Sequence, residues 1–306
     1  KTIRAVGDPK TRFNEDYTRM LRALRLACTL GFSIEPATLE ALKQTMPRIN
    51  DKRANVEQPV LSPLAEFVAP REVVSRELTR AFYADPVRAF DLYDESGAFE
   101  QLMPELLKMK GCPQPEEYHS EGDVWTHTRL ALQALGSEEY AKVFGYPHPR
   151  PLPKGEGDIP ISPLPAGEEQ GEGDFHYNAL LIMAILFHDV GKPPMLQTPE
   201  HDGVDRVRFD EHDTVGAEIA REIARSLVLS IMVDGPLHVN YDFLTLLIKH
   251  HLILLHTKAE DFKASTVEKY FFNPKFPGED LLRLAFCDGS AAIPKDGGAP
   301  SLQNLH

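Results

Sequence analysis

Cysteine is scarce in this chain, with three residues in 306, at positions 28, 112 and 287. An odd, widely spaced set of thiols fits reduced cysteines in a cytoplasmic protein better than a disulfide framework. Cys28 and Cys287 stand in apolar runs and are expected in the core. Long hydrophobic runs are missing as well. No stretch approaches the roughly 18 apolar residues that cross a bilayer, and no basic, apolar leader precedes the first patterned segment, so a membrane is not an expected partner. No alternating apolar and polar run marks a strand. Positive charge is in deficit, with 33 basic against 46 acidic side chains and a net charge of -13, which argues against a surface that grips nucleic acid over its whole extent. The deficit is uneven. Residues 1–53 hold eleven basic and six acidic side chains, net +5, which leaves -18 for the remainder, so any RNA contact is local and lies at the front.

What is present is helical pattern. A helix is expected from an Asn14 N-cap, with apolar residues at Tyr17, Leu21, Leu24 and Cys28 and a stop at Gly31. Further helices are expected from Pro36, from near Arg71 and from the Asp85-Pro86 cap pair. Later ones fall at about 123–135, 177–188, 212–228, 242–256 and 280–292. The fold class is therefore all-α. A helical unit over 1–115 is followed by a bundle over 116–306, with the boundary near Lys110 to Pro115. Between about 146 and 174, PLPKGEGD returns imperfectly as PLPAGEEQGEGD, and this reads as a low-complexity insertion without a chemical role. The chain opens on Lys1 and enters patterned sequence at once, so it is expected to be a fragment.

The strongest chemical signal is LLIMAILFHDVGKPP, in which an apolar helix runs into His188 and Asp189, with Gly191 and Lys192 just beyond. An imidazole and a carboxylate beside an apolar core pay for desolvation, and a divalent cation satisfies both. Gly191 is expected to take a left-handed turn. An HD dipeptide alone discriminates poorly. Here it is accompanied by His127 in GDVWTHTRL, His212 in FDEHDTVGAEIARE, His250 and His251 in LLIKHHLILL, and Asp288 in LLRLAFCDGSA.

The order His127, His188-Asp189, Asp288 resembles the H…HD…D pattern of the HD superfamily of metal-dependent phosphohydrolases, over roughly Tyr118 to Ala292. The resemblance implies a helical bundle with those four side chains around one metal. It assigns His212 and one of the neighbouring His250 and His251 to a second metal or to a substrate phosphate, with His250 taken into the expected ligand set. Nitrogen and oxygen ligands without thiolate suit Mn, Ni, Co, Fe or Mg ions. Asp189 is the expected ligand nearest the nucleophilic water, with His212 and Lys192 as further catalytic residues. Lys192 either neutralises a phosphate oxygen or is a solvated loop lysine.

The opening segment has its own resemblance. Gly7-Asp8-Pro9, Arg12-Phe13, Glu15-Asp16 with Arg19, and Arg22-Ala23 through Phe32 resemble the neck of class II tRNA nucleotidyltransferases and bacterial poly(A) polymerases. By that likeness Asp16 and Arg19 contact the base edge of a nucleotide. In REVVSRELTRAF, Glu77 and Leu78 match a later family helix, while Val73 stands where the family has arginine. The family's GS and DxD head does not precede Gly7, so nucleotidyl transfer by that mechanism is not expected of this chain. The expected activity is hydrolysis of a phosphoester, on a nucleotide or a tRNA 3' end, with tRNA or nucleotide and a second copy of the chain as partners. The other reading is an RNA-binding and dimerising module whose HD residues are structural.

Overall fold

A computed structural model describes residues 1–53, 66–145, 177–232, 235–256 and 261–295; the low-complexity insertion expected at about 146–174 lies outside these residues. The first part opens on β1 (Thr2–Ile3), paired in parallel with β2 (Ser33–Ile34). Its helices are α1 (Pro9–Glu15), α2 (Thr18–Leu30), α3 (Pro36–Thr45), α4 (Arg71–Ala84), α5 (Pro86–Glu95), α6 (Ala98–Leu102) and α7 (Pro104–Leu107). The second part contains α8 (Val124–Ala134), α9 (Glu138–Phe144), α10 (Ala179–Phe187), α11 (Pro199–Asp202) and α12 (His212–Ser226). It ends in α13 (Tyr241–His250), α14 (Ile253–His256), α15 (Ala264–Phe271) and α16 (Gly278–Ala291). The class is all-α, as the pattern predicts.

The helix expected from Asn14 divides in two. Asn14 belongs to the last turn of α1, where its amide donates to the Lys10 carbonyl at 2.8 Å. The start of α2 is held instead by Asp16, whose Oδ1 accepts from the Thr18 backbone N–H at 2.9 Å and its hydroxyl at 2.6 Å. Gly31, with φ 64°, closes α2 in the left-handed conformation. The two parts share one buried cluster, because Trp125 of α8 packs on Phe90 and Phe99 with ring centroids 4.3 and 5.6 Å apart. All three cysteines are buried thiols.

α10 organises the bundle. Its nine residues, ALLIMAILF, are all buried, which is the signature of a helix surrounded by others rather than one with a single core face. It packs against α8, α12, α13 and α16, and against α4 from the first part. Asn178 caps its start by accepting from Leu181 N–H at 2.8 Å. Its far end is therefore a point on which the other bundle helices converge.

Candidate metal centre

The C-terminal end of α10 places His188 and Asp189 inside the bundle, 0% and 1% exposed. His127 enters from α8 and Asp288 from α16, both buried. His127 Nε2 lies 3.0 Å from Asp288 Oδ1 and 3.9 Å from Asp189 Oδ2. His188 Nε2 lies 3.2 Å from Asp189 Oδ2 and 3.8 Å from Asp288 Oδ1. The other carboxylate oxygen of Asp189 faces a second pair of rings. His212, the first residue of α12, brings Nε2 to 3.7 Å from Asp189 Oδ1, and His251, which caps the C-terminal end of α13, brings Nε2 to 3.9 Å. Asp189 thus stands between two groups of ligand atoms, His127 with His188 and His212 with His251.

The tautomers of three rings follow from their partners. Nδ1 of His188, His212 and His251 meets the backbone carbonyl of Ile185, Phe209 and Ile248 at 2.8, 2.8 and 2.6 Å. A carbonyl only accepts, so each Nδ1 carries a proton and each ring turns its Nε2 toward the carboxylates. Those three Nε2 atoms are buried and have no hydrogen-bond partner. Lone pairs facing carboxylate oxygens away from water are unfavourable unless a cation or a proton lies between them. The donor set suits a divalent cation: imidazole nitrogen and carboxylate oxygen, with no thiolate.

Electrostatics separates the two groups of rings. Burial works to lower the His127 pKa, but its hydrogen bonds with Asp288 and Glu121 prevail and carry it up to about 9. Burial, with the His188 and His212 rings beside it, brings His251 down to about 4. Burial lowers His212 too. Burial opposes the charged form of Asp189, yet His188 and Lys192 beside it hold its carboxyl well below the usual range. The side next to Asp288 attracts positive charge, and the side of His212 and His251 keeps its imidazoles neutral and ready to coordinate.

Other expected residues fall differently. His250 does not join the centre. Successive residues at a helix end point about 100° apart, so as His251 turns inward His250 turns its half-buried ring onto Tyr270 and Phe276, with centroids 5.1 and 5.8 Å away. Lys192 is not a solvated loop lysine. Its ammonium is buried, 2.8 Å from Asp189 Oδ2, and donates to Gln114 Oε1 at 2.8 Å. Gly191 does not take the left-handed conformation expected of it. Its need is for space, since a Cβ there would sit 2.1 Å from the His212 carbonyl oxygen and 2.6 Å from the Gly216 nitrogen. Asp16 and Arg19 lie on either side of the start of α2, with Arg19 Nε 3.9 Å from Asp16 Oδ2. Arg19 also pairs with Glu15 at 2.6 Å. Missed altogether by the sequence pattern are Glu121 and His119. Glu121 Oε1 lies 2.7 Å from His119 Nδ1 and 2.8 Å from His127 Nδ1. The spacing His119-x-Glu121 ahead of His127 is the signal that points to them.

A helical bundle whose central apolar helix ends in a buried His-Asp pair, facing further imidazoles and a second aspartate, is the architecture of an HD domain. The chain matches the HD domain model over residues 171–282. The match takes in His188, Asp189, His212 and His251 but stops short of His127 and Asp288, which the fold brings to the same place. More particularly, the chain is a homologue of proteins named multifunctional CCA protein and CCA-adding enzyme. It is 29% identical to the multifunctional CCA protein of Actinobacillus pleuropneumoniae over 265 residues, 85% of this chain and 49% of the relative. It is 39% identical to that of Alkalilimnicola ehrlichii over 124 residues, 39% of this chain and 26% of the relative. With the CCA-adding enzyme of Streptococcus suis it shares 50% identity over 60 residues, 19% of this chain and 15% of the relative. The chain spans about half or less of the length of these curated relatives. No helix among the described residues is long and apolar enough to cross a membrane.

Proposed function

We propose that the chain is a divalent-metal-dependent phosphohydrolase, with His127, His188, Asp189 and Asp288 as ligands to one cation and His212 and His251 as ligands to a second, across the shared carboxylate of Asp189. The observation that carries this reading is the set of buried Nε2 atoms on His188, His212 and His251, each without a hydrogen-bond partner and each turned toward Asp189 by its backbone bond. A divalent cation bound there polarises a phosphoryl oxygen and lowers the pKa of an attacking water. The chain's own residues supply the rest. Asp189 holds both groups of imidazoles in one arrangement, and the wall of α10 excludes bulk water. Lys192, pinned between Asp189 and Gln114, presents a positive charge to a phosphate oxygen.

The relatives are named for CCA, and the substrate class follows from that company: a phosphoester on a nucleotide or at a tRNA 3' end. In this reading Asp16 and Arg19 contribute a nucleotide contact on the first part. The alternative, an RNA-binding and dimerising module with a structural HD site, has the basic opening segment as its support. Much of that charge is already engaged: Arg22 and Arg25 reach the buried Glu77 at 3.5 and 2.6 Å, and Arg12 and Arg19 reach Glu15. The test is hydrolysis of cyclic and linear nucleotide phosphates and of phosphorylated RNA ends by the chain and by its Asp189→Ala variant. Metal-dependent turnover that the variant loses supports the phosphohydrolase. Equal turnover by both removes Asp189 from the mechanism.

A further inference from the structure

Outside the proposed ligand set, the turn before α8 holds a buried carboxylate with an unusual set of donors. Glu121 has a side chain only 1% exposed. Its Oε1 meets Nδ1 of His119 at 2.7 Å and Nδ1 of His127 at 2.8 Å, and its Oε2 accepts the backbone N–H of Ile293 at 2.9 Å. The rings of His119 and His127 stand edge to face, with centroids 5.0 Å apart. Among the described residues of the cluster, His188, His212 and His251 are oriented by neutral carbonyls of the turn before them. His127 alone is oriented by a carboxylate.

The difference has two consequences. Committing Nδ1–H of His127 to Glu121 fixes its Nε2 toward Asp288 and Asp189, and an anionic partner makes that nitrogen a better donor to a cation than a carbonyl partner would. Glu121 also reaches Ile293, just beyond the end of α16, the helix that carries Asp288. One side chain therefore ties the α8 ligand to the α16 ligand, setting both their distance and the direction of the ring. His119 occupies a third donor position on the carboxylate and keeps it from rotating away.

We infer that Glu121 is the positioning residue of the metal centre, acting through His127, with His119 as its brace; the assignment rests on the metal-centre reading above. It does not touch substrate, and its effect is on cation affinity and ring orientation. The test is titration with Mn2+ alone, followed by calorimetry, on the unmodified chain and on Glu121→Gln, His119→Ala, His119→Asn and the exposed control Glu117→Gln. Expected is a loss of about 10–100-fold in Mn2+ affinity for Glu121→Gln, the range for an outer partner of a ligand. A smaller loss is expected for His119→Ala, recovery for His119→Asn, whose amide still donates to the carboxylate, and no change for Glu117→Gln. Should Glu121→Gln fail to fold, 15N NMR of histidines in the Zn2+-loaded unmodified chain decides, with His127 expected to keep Nδ1–H and to coordinate through Nε2. Affinity of a folded Glu121→Gln within twofold of the unmodified chain, or coordination of His127 through Nδ1, overturns the inference while leaving the metal centre standing. If the unmodified chain binds no Mn2+, the metal centre itself falls and this assignment falls with it.

Discussion

At the scale of the residue, the centre depends on which atom of each ring faces inward. His250 and His251 are chemically identical and adjacent, yet one packs against Tyr270 and the other against the Asp189 carboxylate. His251→Ala is expected to weaken Mn2+ binding by upwards of about tenfold. His250→Ala should leave it within about twofold, the roughly 0.5 kcal/mol range of a substitution away from the site. Isothermal titration of the two variants checks this, and the reverse order would reassign the ligand. The choice was not legible in the sequence, because the apolar run LLIKHHLILL does not reveal where α13 ends, and the end decides which histidine turns inward. His127 and Asp288 were legible, since each stands among apolar residues at helical spacing, where a polar side chain needs a partner. Glu121 was not. It lies in a turn, outside any periodic pattern, and only the fold shows what its carboxylate meets.

At the scale of the element, two contacts fix how helices approach one another. The turn after α10 lies against the start of α12 so closely that a Cβ on Gly191 would meet backbone atoms on both His212 and Gly216. Neither can yield without moving the helix. Gly191→Ala is expected to destabilise the fold by about 1–3 kcal/mol, the usual effect of overpacking, and to displace His212 from Asp189. Urea denaturation and Mn2+ titration of the same variant measure the two effects; a variant with unchanged midpoint and affinity would show that the approach is not tight. In the first part, the buried Glu77 on α4 holds Arg25 of α2 at 2.6 Å. Glu77→Ala removes this tie, and a loss of about 1–3 kcal/mol in the same denaturation experiment is expected, discounted because Arg22 is half exposed. The helices themselves were readable from their caps and periodicity. The break between α1 and α2 was not, because residues through that stretch keep helical spacing, and it is the Asp16 side chain bonding to Thr18 that starts the second helix.

At the scale of the whole molecule, the two parts recognised by separate sequence resemblances are packed through one hydrophobic cluster. The chain's single tryptophan sits at that junction, on Phe90 and Phe99, and precedes His127 on the same helix. Its fluorescence and the far-ultraviolet helical signal should therefore lose structure in one shared transition on denaturation. Two separated transitions would mean that the parts unfold independently. Cation binding to the folded chain alone adds stability by mass action, about 2.7 kcal/mol at a hundredfold excess over Kd. For a chain of this size that amounts to a rise of about 5 °C in Tm with Mn2+, reversed by a chelator.

The metal-binding expectations rest on six side chains from five helices or their ends sharing a cation-binding centre at the end of α10. The most direct measurement is the metal content of the purified chain and of its Asp189→Ala variant by inductively coupled plasma mass spectrometry. Such a centre predicts a bound divalent metal in the first and its loss from a folded second. A metal-free chain after exposure to Mn2+, or equal metal in both proteins, would contradict it.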